Sequence, residues 1–160
     1  MQFTQSISYP GTVDEVVAMY LTPAYLERRF GQFVVEGSQA VSVEGERVSF
    51  AGTVRPELIP AAAARFVKSD LRITFTEEWA RGEAGATSRT SVTVDGTPVS
   101  VEATSTLAPA EAGSVRDVTG NVSVRVPLLG GRIEKEAVAH LGRVVEREQA
   151  LAAQWLEEHR

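Results

Sequence analysis

The stretch from Gly131 to Glu158 constrains this chain more than any other. Its apolar residues recur with the period of an α-helix: Ile133, Ala137, Leu141, Val144, Val145, Leu151, Ala152, Trp155 and Leu156 share one broad face. Glu134, Lys135, Arg143, Glu146 and Arg147 occupy the opposite face. A helix of this length with a single apolar face needs a large partner surface, and the rest of the chain must supply it.

What precedes it alternates with period two. Phe3, Gln5, Ile7 and Tyr9 point one way and Thr4, Ser6 and Ser8 the other, the pattern of a half-buried strand. From Phe33 to Pro127 the same alternation returns six times. In order, the in-phase sets are Val35, Gln39, Val41 and Val43; Val48, Phe50, Gly52 and Val54; Leu71, Ile73, Phe75, Glu77 and Trp79; Thr90, Val92 and Val94; Val99, Val101, Ala103, Ser105 and Leu107; and Val118, Gly120, Val122, Val124 and Val126. The connections are mostly short, and Asp95-Gly96 is a strong hairpin signal, so the seven strands should form an antiparallel sheet. Two short helices follow the first strand. Thr12 and Glu15 form a capping box for one, Thr22-Pro23 starts the other, and Gly31 closes it. Leu107 to Ser114 reads as a loop. Residues 56–69, with Ile59-Pro60, a run of alanines and Phe66-Val67, are too apolar for a solvent loop and read as a short helix or flap.

The whole is one domain, 1–160, of α+β class: a seven-stranded curved sheet against a long C-terminal helix. The chain has no cysteine, which excludes disulfides, thiolate nucleophiles and cysteine-bound metals. Two histidines and no carboxylate cluster of ligand spacing leave little material for a metal site or a Ser-His-Asp triad, and no cofactor is implied. A net charge of −5 argues against nucleic acid as a partner. The first residues lack the pattern of a signal peptide and no window is apolar enough to span a membrane, so a cytoplasmic location is expected.

Strand, two short helices, six antiparallel strands and a long helix: this order resembles the START-like helix-grip superfamily. Its members include lipid-transfer domains, polyketide cyclases and pollen-allergen-type ligand binders. A narrower likeness, at Val126-Pro127-Leu128-Leu129-Gly130-Gly131-Arg132-Ile133-Glu134-Lys135, at Glu77-Glu78-Trp79 and around Ile59-Pro60, is to a bacterial branch of largely unassigned function. The resemblance implies a sheet gripping the helix around a cavity. The in-phase residues agree, since they are mostly valine, alanine and glycine, which fill a concave sheet poorly.

The expected partner is therefore a small hydrophobic or amphipathic molecule. The candidate ligand-binding residues are Gln39, Phe50, Phe75, Glu77, Trp79, Arg116, His140 and Val144. Glu77 and Arg116 are in phase with apolar neighbours, which would place both inside. Charged groups are rarely fully buried, which instead favours Glu77 where its strand leaves the core and Arg116 in solvent at its strand's start. His140 lies at the edge of the helix's apolar face, and Leu58, Ile59, Phe66 and Val67 of the 56–69 flap could gate a cavity mouth or touch a membrane transiently. Two other functions stay open: a cyclase- or hydratase-type enzyme using Glu77 and His140 as acid and base, and a protein-interaction domain with a filled core. Oligomeric state is not legible in the sequence.

Overall fold

The computed structural model of the protein describes residues 1–59, 61–64 and 70–160. Strand β1 (Gln2–Tyr9) leads into helices α1 (Val13–Tyr20) and α2 (Pro23–Phe30), the latter extended by a 3-10 turn at Gly31–Phe33. Strands β2 (Ala40–Glu44) and β3 (Arg47–Thr53) follow, then a 3-10 turn at Pro56–Leu58 and the one-turn helix α3 (Ala61–Ala64). Strands β4 (Arg72–Gly82), β5 (Gly85–Val94), β6 (Val99–Ala110) and β7 (Gly113–Val124) form a meander, and α4 (Gly130–Glu158) ends the chain.

All pairings are antiparallel, in the order β1-β7-β6-β5-β4-β3-β2. The first two strands thus lie on opposite edges, and α1 and α2 carry the chain across the mouth of the sheet between them. This is the α+β helix-grip arrangement. The capping box is formed, with Thr12 Oγ1 accepting from the Glu15 amide at 3.2 Å and Glu15 accepting from the Thr12 amide at 3.0 Å. At the second helix Thr22 does not cap. Its hydroxyl donates back to the Ala18 carbonyl, and Pro23 alone presets the first turn.

Two sequence expectations are corrected. Leu107 to Ser114 is not a loop: β6 and β7 continue as a ladder to the pair Ala110–Gly113, and only Glu111 and Ala112 turn the chain. The Pro and Gly that suggested a loop sit in the hairpin's last rungs, where Gly113 adopts a φ of 145° and a side chain would strike the carbonyl of Tyr9. Gln39 lies before β2 rather than on its inward face, and its side-chain oxygen accepts from the amide of Gly37 in the preceding turn. Within the 56–69 flap, Leu58 is 47% exposed and Ile59 half-buried. Phe66 and Val67 lie outside the described residues.

Helix α4 packs chiefly on β1 and β7. The line that faces the protein runs through Val138, Leu141, Val145, Glu148, Ala152 and Trp155, so Ala137 and Val144 fall to one side and are exposed. Gly130 makes the corner into this helix tight, because a Cβ there would meet the carbonyl of Val124.

Candidate functional site

The inner face of the sheet is built by alternation: Ile7 and Tyr9 from β1; Val48 and Phe50 from β3; Ile73, Phe75, Glu77 and Trp79 from β4; Ala86, Ser88, Thr90, Val92 and Val94 from β5; Val99, Val101, Ala103, Ser105 and Leu107 from β6; and Ser114, Arg116, Val122 and Val124 from β7. It divides into two ends.

At one end the space is packed. Tyr9, Tyr20, Tyr25, Trp79, Leu107, Ala152, Trp155 and Leu156 form one core, with Tyr20 stacked on Trp79 and edge-on to Tyr9 and Tyr25. A charged network lies inside it. The inward phase of Glu77 and Arg116 prevails over the rarity of buried charge: both are buried, and they pair at 2.7 Å. Registry makes this possible. Glu77 opposes Thr90 across β4–β5, Ser88 opposes Ser105 across β5–β6, and Arg116 reaches over both strands from β7. Glu77 accepts from Thr90 at 2.7 Å, Trp79 Nε1 at 3.0 Å and Arg116, while Arg116 also donates to Ser105 at 2.9 Å and Ser88 at 3.0 Å. The guanidinium lies 4.8 Å from the Trp79 ring centre and 5.0 Å from that of Tyr20. Burial pushes the Glu77 carboxyl up, but the charges of Arg116 and Arg29 and the hydrogen bonds from Thr90 and Arg116 outweigh it and hold the group below its ordinary value.

A second pair completes the network. Arg29 of α2 meets Glu148 of α4 at 2.9 Å, Glu148 accepts from the Tyr20 hydroxyl at 2.8 Å, and the Tyr9 and Tyr20 hydroxyls are 2.6 Å apart. Burial and the Glu148 charge together raise the Tyr20 phenol well above its ordinary range. Sequence reasoning missed Arg29 and Glu148. The signal for Glu148 was present, because it continues the helical phase of Leu141, Val145, Ala152 and Trp155.

At the other end the apolar inner face is incompletely covered. Phe50 and Phe75 are buried with Leu26, Val34 and Val48, and both rings pack on Phe30 at 4.9 and 4.7 Å. Beyond them Ile73, Val92, Val94, Val99, Val101 and Ala103 are only half-buried although they point inward. The helix above this end is equally bare: between Gly130 and Glu148, α4 has no buried side chain, and Val138, Leu141 and Val145 on its inward line are only half-buried. Of the candidates, then, Glu77, Trp79 and Arg116 converge in the packed end, Phe50 and Phe75 stand at the boundary, and Gln39, His140 and Val144 lie apart from both. His140 is exposed on α4, and the Glu77 carboxylate is sealed beneath its donors, so the acid–base couple that catalysis by these two residues would need is not assembled.

No described helix is long and apolar enough to cross a membrane. The chain belongs to the DUF2505 family of proteins of unknown function, whose profile matches residues 4–156. An uncharacterized protein of Mycobacterium tuberculosis is 25% identical over 96% of this chain and 95% of its own length. Among solved structures, Ara h 8.0201 superposes with a TM-score of 0.62 at 8% identity, over 99% of this chain and 98% of that one. A STAR-related lipid transfer protein from Xanthomonas axonopodis gives 0.57 at 14% identity, over 91% and 84%. At these identities the likeness is one of fold, the α+β helix-grip fold.

Proposed function

We propose that this DUF2505 protein binds a small apolar or amphipathic molecule between the open end of its sheet and the front half of α4. One observation carries the reading. Six inward-facing apolar side chains, Ile73, Val92, Val94, Val99, Val101 and Ala103, keep solvent access on the concave face of the sheet, where a filled core would bury them. Covering them with a ligand removes apolar surface from water at about 25 cal/mol per Å². The resemblance in fold to a lipid transfer protein supports the reading without specifying the ligand. The packed end serves as a rigid floor, since its charges are matched within the protein.

Native mass spectrometry of the purified protein, followed by a thermal-shift screen of fatty acids, sterols, quinones and flat aromatics, tests this. Ligand bound only by the folded state adds about 2.7 kcal/mol of apparent stability at a hundredfold excess over its dissociation constant. At least one clear stabiliser is expected. A silent screen with no co-purifying mass would favour a protein-interaction domain instead.

A further inference from the structure

Among the described residues three buried polar atoms lack a hydrogen-bond partner: Tyr25 Oη, Arg29 Nη1 and Ser114 Oγ. Ser114 stands at the closed β6–β7 hairpin. Tyr25 is fully enclosed between Tyr20 and Trp155, at 5.6 and 5.4 Å. Arg29 differs, because its side chain keeps 15% of its exposure and its guanidinium lies 4.8 Å from the Phe30 ring centre and 5.1 Å from that of Phe75, where the packed end meets the open one. Its Nε is taken by Glu148. The rings around this guanidinium attract the cation but offer Nη1 no lone pair. A guanidinium cannot shed its proton, so this N–H remains a donor in want of an acceptor.

Charge decides what kind of acceptor fits. The network holds two cations, Arg29 and Arg116, and two carboxylates, Glu77 and Glu148, already paired. A ligand carboxylate would add a third buried anion with no matching cation, whereas a carbonyl or ether oxygen would satisfy the N–H and keep the balance. We propose that the ligand carries a neutral acceptor oxygen at one end, which Arg29 Nη1 engages while the apolar body lies along Ile73 and Val92. This rests on the cavity reading above and adds the head group to it.

Three matched probes test it by calorimetric or NMR titration: butylbenzene, butyrophenone, which adds a carbonyl, and 4-phenylbutanoate, which adds a carboxylate. Butyrophenone should bind about tenfold tighter than butylbenzene, the worth of one hydrogen bond from a charged donor, and 4-phenylbutanoate weakest. Arg29→Met/Glu148→Met, which removes both charges together, should abolish the ketone's advantage and leave butylbenzene binding in place. In the wild-type protein, butyrophenone should also shift and slow the exchange of the Arg29 Nη protons, a readout that needs no variant. Equal affinity for hydrocarbon and ketone, tightest binding by the carboxylate, or a ketone preference that survives the double substitution would overturn the head-group assignment while sparing the cavity. Failure of all three probes to bind would overturn both.

Discussion

The two halves of α4 face the same sheet and meet different fates. From Glu148 onward the helix is docked: Glu148, Ala152, Trp155 and Leu156 are buried against α1, α2 and β1. Ahead of Glu148 it is amphipathic by composition yet covers the sheet poorly, and Leu141 and Val145 are only half-buried. The difference lies in what fills the gap. The packed end has three tyrosines, two tryptophans and two ion pairs to span the distance between layers. The open end has valines and alanines, whose side chains are too short to reach across. Dense packing is thereby confined to one end of the sheet's inner face, and the proposed ligand access belongs to the other.

The largest effect expected from breaking this division is at Arg116. Arg116→Ala leaves Glu77 buried without its counter-charge and should cost about 3–5 kcal/mol in urea unfolding. Glu77→Leu/Arg116→Met, which removes the pair together, should recover most of that loss. A single substitution costing no more than the double would mean that the pair is not desolvated.

Next come Trp155 and Val144 as a matched pair on one helix. Trp155→Ala should cost about 3 kcal/mol, because its ring is 7% exposed and packs on Tyr25. Val144→Ala should stay within about 0.5 kcal/mol. Similar costs at the two sites would erase the contrast between the halves of the helix.

The smallest effects are in pH. The Glu77 carboxyl is held below its ordinary value, so its contribution is present above the unfolded value, about pH 4.3, and is lost as pH falls through the lower folded one. Tyr9, Tyr20 and Tyr25 are raised, chiefly by burial. Their contribution is full below about pH 10 and is lost as pH rises from there through the raised folded values. Stability measured against pH should fall off on both sides, and the Glu77→Leu/Arg116→Met variant should lose part of the acid limb.

Much of this architecture is legible in the residues. Period-two alternation places all seven strands, and the helical stripe places α4 as the element they grip. Gln39 fails because a tight turn at Glu36 and Gly37 delays the strand, a local event that alternation alone does not report. The hairpin at Glu111-Ala112 fails because Pro109 and Gly113 are tolerated at the end of a ladder as well as in a loop. The charged network is legible only halfway. Phase puts Glu77 and Arg116 inside, but burial is tolerable only through partners supplied by β5 and β6, and those follow from register across four strands. Arg29 depends on how α2 crosses the sheet, and nothing in its local sequence reports that.

The central claim, one packed end and one receptive end, is tested most directly by a methyl NMR titration of the protein with butylbenzene. The account predicts saturable shifts at Ile73, Val92, Val94, Val99 and Val101, with Ile7, Leu107 and Leu156 unmoved. Shifts confined to exposed Leu58 and Leu128, or none at all, would contradict it.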